Sequence, residues 1–310
     1  MQEGLWPDGA RPVSFESCGV ELSGVFCPAA GEEAGPVVVM AHGWSGVKNM
    51  LIDYAAYFVE RGLSVLAYDH FAFGESGGLP RQEIDPVAQT RGLRDAITFA
   101  ESLDEVDPEA IGIWGTSYAG GHVLAVAAVD RRVRCVVSQC PTISGWANTK
   151  TRFTPEQWEG MVRAFNRDRA RRFRGEPAAM VQVIANADTI RRDPSRTHFG
   201  NNGGAWYINL DPSRCVGWRD EITLRSLELY AEYEPGQAIE RISPTPLMMI
   251  LAENDKVTPY ASGVEAMARV PGPKELVSLP GGHYDLYEEQ REAASAAAAR
   301  WFAAHLTLSR

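Results

Sequence analysis

The apolar run Ile111-Gly112-Ile113-Trp114 breaks into Gly115-Thr116-Ser117-Tyr118-Ala119-Gly120-Gly121 and continues as the helical-looking stretch His122-Val123-Leu124-Ala125-Val126-Ala127-Ala128. A buried strand, a sharp turn of small residues with one serine at its apex and then a helix leave few folds open, because strand and helix backbones must approach closely beneath the turn. Gly115, Ala119 and Gly120 are small enough to allow that approach. Ser117 is therefore a candidate nucleophile, pointed out of the sheet on a nucleophile elbow. The N–H of Tyr118, at the helix N-terminus, would face the oxyanion that forms on attack. For this heptapeptide alone, a Gly-rich connection that binds phosphate or simply packs is the alternative.

The chain before the elbow alternates strand and helix signals. Apolar alternation at 13–15 and 20–26 predicts an antiparallel hairpin. Val37-Val38-Val39-Met40-Ala41 has the continuous apolar character of a strand covered on both faces, and it ends in His42-Gly43-Trp44-Ser45-Gly46. The glycines there let the backbone turn the N–H of Trp44 toward the point faced by that of Tyr118. The spacing predicts a helix over 51–59 stopped at Gly62, a strand over 63–68, an amphipathic helix over 86–103 and a strand over 133–140. Asp69 and His70 invite a catalytic role, but an aspartate at the end of that strand more often braces the following turn. The repeating order implies an α/β fold, a parallel sheet wound with helices on both faces.

After Pro141 the pattern changes. Helical pieces near 155–173, 178–188 and 220–230, with no clear strand run, predict a mostly helical cap over 142–241, inserted into a core formed by 1–141 and 242–310. The insertion is rich in aromatics, of which Trp158, Trp206 and Trp218, together with Trp44 and Tyr118, are the candidates to wall an apolar substrate pocket. It also holds Arg163, Arg167, Arg169, Arg171, Arg172 and Arg174, read as a solvated helix face, with docking of a carboxylate, a phosphopantetheine arm or an acidic carrier domain as the other reading.

Sheet patterning resumes over 246–252 and runs into Asp255; a helix over 260–270 and a strand over 275–279 lead to Gly281-Gly282-His283, and an Ala-rich helix over 288–306 follows. Ser117, Asp255 and His283 thus stand in that order, each just beyond a predicted strand, where the C-terminal edges of a parallel sheet converge on one crevice. A serine needs a base, and the imidazole needs a carboxylate to fix its tautomer and stabilise its charged form. His122 reads as a packed or rim histidine, while His198 and His305 have no motif around them. No histidine or carboxylate pair stands at ligand spacing near the crevice, so neither metal nor cofactor is expected.

At these residues the chain resembles the α/β-hydrolase superfamily, over 36–141 and 244–306, through HGWSGVKN, GESGG, GTSYAGG, AENDKVTP and PKELVSLPGGHYDLYEE. The segments look most like the dienelactone-hydrolase-like branch that also contains fungal polyketide transferases. The resemblance implies a nucleophile at Ser117, an acid at Asp255, a base at His283 and oxyanion N–H groups at Trp44 and Tyr118. Ser117 stands where typical dienelactone hydrolases have cysteine, and Ala119 replaces a commoner glycine.

Composition narrows the function classes. A formal net charge of -10 over 310 residues offers no basic footprint for nucleic acid. No run is long enough to cross a bilayer, and the first residues lack a basic region followed by an apolar core, so a cytoplasmic protein without a membrane partner is expected. The five scattered cysteines read as reduced thiols. Three functions follow: hydrolysis of an ester or thioester through an acyl-Ser117 intermediate; acyl transfer of a polyketide-like chain to an alcohol; and a non-catalytic binding module of the same fold. The expected partner is a small-molecule acyl substrate; an acyl carrier, an acyl acceptor and a homodimer are left open.

Overall fold

The computed structural model describes residues 4–31, 33–184 and 203–306. In chain order the first half carries β1 (Arg11–Ser17), β2 (Val20–Cys27), β3 (Gly35–Ala41), α1 (Ile52–Val59), β4 (Ser64–Tyr68), α2 (Pro86–Glu101), β5 (Val106–Thr116), α3 (Tyr118–Ala127) and β6 (Val133–Gln139). Between β6 and the next sheet strand lie α4 (Gly145–Arg152), α5 (Pro155–Phe173), β7 (Met180–Val181), α6 (Gly203–Asn209), β8 (Ile222–Thr223) and α7 (Leu224–Glu232). The chain then completes β9 (Leu247–Ala252), α8 (Tyr260–Ala268), β10 (Lys274–Leu279) and α9 (Arg291–Leu306).

Eight strands form one sheet in the order β1-β2-β4-β3-β5-β6-β9-β10. The opening hairpin is antiparallel and joins β4 antiparallel; every pairing from β4 to β10 is parallel. The uninterrupted apolar strands follow from cover on both faces. Val37, Val39 and Ala41 pack with α2, α3 and α8, whereas Val38 and Met40 pack with α1 and α9. Gly112 is required on the second face, because a Cβ there would lie 2.8 Å from Phe302 and 2.9 Å from Leu306 of α9. Local signals set the helix starts. Asp85 caps α2 by accepting from the N–H of Val87 at 2.8 Å, with Pro86 in the first turn, and Thr154 and Gln157 form a reciprocal capping box on α5.

Among the described residues, the segment between β6 and β9 contributes no strand to the large sheet, as its pattern predicts. The expected helix over 178–188 is corrected over its described part: residues 178–184 form no helix, and Met180 and Val181 make a two-residue strand that pairs with Thr223 and Ile222. The remainder of that stretch, like His198, lies outside the described residues. Tertiary hydrogen bonds override local propensity there. Asp168 accepts from the N–H of Ala179 at 2.8 Å, and the carbonyl of Ala179 accepts from Leu224 at 2.7 Å. The same pairing delays α7 to Leu224, and a short 3₁₀ turn at Asp285–Tyr287 delays α9 to Arg291.

The arginine-rich face of α5 is solvated. Arg163, Arg169, Arg171 and Arg174 are exposed, and they pair with Glu159, Glu228, Glu176 and Glu176, while Arg172 reaches the buried Asp168 at 2.8 Å. Among the described residues no helix is long and apolar enough to cross a membrane. All five cysteines are free thiols.

Candidate active site

β5 ends at Thr116 and α3 begins at Tyr118, so the whole turn is one residue, Ser117, with φ 57° and ψ -118°. A non-glycine residue in that region is strained, by roughly 1–3 kcal/mol, and persists only where its surroundings over-determine it. Here they do. The N–H of Ser117 donates to Gln139 at 2.9 Å, and its carbonyl accepts from Gly120 and Thr142, both at 3.0 Å. A Cβ on Gly115 would sit 2.2 Å from the carbonyl oxygen of Ala119, and one on Gly120 2.8 Å from Pro141. The small residues around the serine are thus a steric condition of the turn.

Three strand ends bring three side chains into one hydrogen-bonded line, with Asp255 and His283 buried. Beyond β10, His283 Nε2 lies 2.9 Å from Ser117 Oγ and its Nδ1 lies 2.7 Å from Asp255 Oδ2. Asp255, beyond β9, accepts the N–H groups of Val257 at 2.7 Å and Thr258 at 2.8 Å on Oδ1 and the Thr258 hydroxyl at 2.9 Å on Oδ2. A carboxylate held by these donors is fixed in place to accept from an Nδ1–H imidazole. Burial opposes charge on His283, but the Asp255 carboxylate outweighs it, with Cys140 acting in the same direction, so the imidazole pKa is raised well above its usual value. Asp285, the other nearby carboxylate, instead accepts from the N–H of Gly282 at 2.7 Å and holds the loop that carries His283.

Asp69 and His70 brace the turn facing Ser117. Asp69 accepts from the backbone N–H of Lys48 at 2.7 Å and pairs with its ammonium at 2.6 Å, while the N–H of His70 donates to His42 Nε2 at 3.2 Å and His70 Nε2 donates to the His42 carbonyl at 3.1 Å. These bonds hold both ends of the His42–Lys48 loop. Gly43 within it lies so close to the serine turn that a Cβ there would be 3.0 Å from that of Ser117. Tyr118 is the first residue of α3, where a backbone N–H has no intrahelical acceptor.

The relay opens on a small crevice of about 50 Å³, walled by Trp44, Tyr118, Arg152, Trp206, Tyr207 and Tyr230. Trp44 stands edge-on to both Tyr118 and Tyr230, at ring separations of 5.1 Å. Of the predicted wall tryptophans, Trp206 lines this crevice. Trp158 lines a neighbouring cavity, and Trp218 stacks at 5.4 Å on Tyr207. Sequence reasoning counted Tyr207 and Tyr230 among the insertion's aromatics without singling them out, and it missed Arg152, Tyr284, Tyr287 and Cys140. Cys140 was open to the argument that found the other groups, because it directly follows β6.

Cys140, Asp255 and His283 gather ligand-type atoms within 4.8 Å of one another. The 2.7 Å between Asp255 and His283 is a hydrogen bond, shorter than the roughly 3.3 Å that two nitrogen or oxygen ligands keep on a tetrahedral zinc with 2.0 Å bonds.

His42, His70 and His122 form a second group of fully buried imidazoles, each with its pKa lowered, chiefly by burial; that of His122 falls to about 3. His122 is packed, with Nδ1 2.8 Å from the Tyr233 hydroxyl and Nε2 2.9 Å from Gln89. The unfolded chain takes up protons below about pH 6.5 that these folded histidines refuse, so their contribution to stability is present above that pH and is lost as pH falls toward the folded pKa values. His283 has the opposite sign: its contribution is fully present below about pH 6.5 and is lost only as pH rises through its raised pKa. Urea unfolding between pH 6.5 and 4.5 should therefore show stability falling by up to about 1.4 kcal/mol per pH unit for each buried neutral histidine. His122→Gln should make that dependence shallower; an unchanged slope would show that His122 does not contribute.

With fold and site described, the class is clear. Residues 36–290 match the family model described as alpha/beta hydrolase fold, and the chain belongs to that family. Its relatives include the thiohydrolase aneE of Aspergillus aculeatus, 32% identical over 252 residues that cover 79% of this chain and 77% of that one. The quorum-quenching protein AidA of Acinetobacter baumannii is 31% identical over 91% of this chain and 90% of its own. Among solved structures, the alpha/beta hydrolase GrgF from Penicillium sp. sh18 superposes with a TM-score of 0.82 at 26% identity, covering 96% of this chain and 99% of that one. Membership of this family, with thiohydrolase and acyltransferase relatives, supports an enzyme.

Proposed function

We propose that the protein is a serine hydrolase that cleaves a carboxylic ester or thioester of a small organic or biosynthetic acyl compound. The observation that carries this reading is the continuous contact from Asp255 through His283 to Ser117, at 2.7 and 2.9 Å. In this scheme Ser117 Oγ attacks the acyl carbon while its proton passes to His283 Nε2, and Asp255 stabilises the imidazolium. The carbonyl electrons collect on oxygen, facing the N–H groups of Trp44 and Tyr118. When they return, the bond to the leaving thiolate or alkoxide breaks and His283 gives it the proton. Water then adds to the acyl-Ser117 ester, losing a proton to His283, and the acid departs as Ser117 regains its own.

Residues 142–241 act as a cap on a core of 1–141 and 242–310 in this reading. Support comes from Arg152, Trp206, Tyr207 and Tyr230, which the inserted segment contributes to the crevice walls. A second reading, transfer of the acyl chain to an alcohol, is favoured by that cover, which would keep water from the acyl-enzyme. The likeness to GrgF, whose curated namesake from Penicillium sp is called a polyketide transferase, points the same way. Five unbonded cysteines fit a cytoplasmic setting.

A fluorophosphonate should label the protein stoichiometrically at Ser117, located by peptide mass, and an ester and thioester screen should show turnover that the label abolishes. Absence of labelling in folded protein would reject an activated serine. Product analysis with added alcohols divides the two readings, since transfer gives a new ester and hydrolysis gives only the free acid.

A further inference from the structure

A second cavity lies beyond the crevice, and the chemistry above does not use it. It measures about 160 Å³ and is walled by Thr149, Phe153, Trp158, Met161 and Leu227, from α4, α5, α7 and the α4–α5 turn. Trp44, Arg152 and Tyr230 belong to both spaces, so the two meet at those three side chains. Arg152 is held at this neck, donating to the Val257 carbonyl at 3.0 Å with its guanidinium 5.3 Å from the Tyr230 ring centre.

We infer that this chamber receives the tail of the acyl group, and that the substrate class is an acyl compound with a slim reacting end and an apolar tail of about one aromatic ring or six carbons. The inference rests on Ser117 being the nucleophile, as proposed above. The two volumes carry it. At about 50 Å³ the crevice admits the reacting carbonyl and little more. At about 160 Å³ the chamber is close to the engineered apolar cavity of about 150 Å³ that holds benzene. Its lining is more apolar than polar, with Thr149 and Arg152 among the polar residues, and an apolar wall selects by shape and size. In this reading Trp158 meets the substrate at the tail of the acyl chain.

The test uses N-acetylcysteamine thioesters of acetyl, hexanoyl, octanoyl and 4-phenylbutyryl groups, which share one leaving group. Inactivation rates with ethyl and hexyl fluorophosphonates give a second measure of the same preference, independent of turnover. Met161→Trp and Leu227→Trp fill the chamber from α5 and α7. Each should lower the hexanoyl-to-acetyl ratio of kcat/KM, and the hexyl-to-ethyl ratio of inactivation, about tenfold or more. Trp158→Ala removes volume instead of adding it, and should raise the octanoyl-to-hexanoyl ratio several-fold even where the larger side chains prevent folding. Ratios within about twofold of wild type in folded variants overturn the inference. So does a parallel loss on every chain length, which would give the chamber to the leaving group or to packing alone. Ser117→Ala on the same thioesters separates the two levels: retained turnover sinks the hydrolase reading, whereas a dead Ser117→Ala with unshifted ratios in the chamber variants sinks only the chamber.

Discussion

Ser117→Ala should lower kcat by on the order of 10³-fold or more, with the fold unchanged. The serine hydroxyl sits at the end of the His283 relay, while the turn is held by backbone bonds from Ser117 to Gln139, Gly120 and Thr142. Those bonds survive in alanine, so loss of activity and loss of structure separate. Ser117→Gly extends the comparison. With φ at 57°, the position is one that glycine occupies without a Cβ penalty, so Ser117→Gly should be as inactive as the alanine variant and at least as resistant to unfolding. Circular dichroism melts beside steady-state rates make the check. Most of the activity surviving in folded Ser117→Ala would remove this residue from the chemistry.

The core was legible because its signals are local and redundant. Val37 to Ala41 reads as a strand covered on both faces from five consecutive apolar residues, and the small residues at 115, 119 and 120 announce the close approach that the turn requires. Strand C-terminal edges in a parallel sheet converge, so Ser117, Asp255 and His283 could be placed together from their positions after predicted strands although the first two stand 138 positions apart. The bracing role of Asp69 was also readable as a preference; its means, the Lys48 pair, was not.

The inserted segment was less legible for a physical reason. Its helices pack through aromatic and ion-pair contacts between residues far apart in sequence, such as Trp44 with Tyr230 and Arg169 with Glu228, and its strands are two residues long. Periodicity cannot reveal a strand too short to alternate, so the stretch beginning at 178 read as helix. Pocket walls suffer similarly. Trp158, Trp206 and Trp218 look alike in sequence, yet they lie in a side cavity, at the crevice and behind Tyr207. Which ring faces a ligand depends on how helices dock, and no local signal reports that.

Asp255→Asn should reduce kcat/KM by about 10⁴-fold and move the pH profile in a defined direction. Asp255 Oδ2 accepts from both His283 Nδ1 and the Thr258 hydroxyl, while Oδ1 accepts two backbone N–H groups. An asparagine amide has one oxygen for four donors. With that oxygen kept by the backbone N–H groups, its NH₂ meets Nδ1 as a donor and favours the tautomer that protonates Nε2, the atom that must accept the serine proton. The charge effect is separate. In the wild type, burial lowers the His283 pKa and the Asp255 carboxylate more than reverses it, so activity should fall as pH drops through a value above the ordinary imidazole range. Removing the carboxylate leaves burial as the leading influence, and the acidic limb of residual activity should shift to lower pH. Asp69→Asn is the contrast: it weakens the 2.6 Å pair with Lys48 and the loop bond beside it, so its main effect should be a lowered melting temperature. A folded Asp69→Asn that loses more turnover than Asp255→Asn, or an Asp255→Asn profile whose acidic limb does not move, would reject Asp255 as the partner of His283.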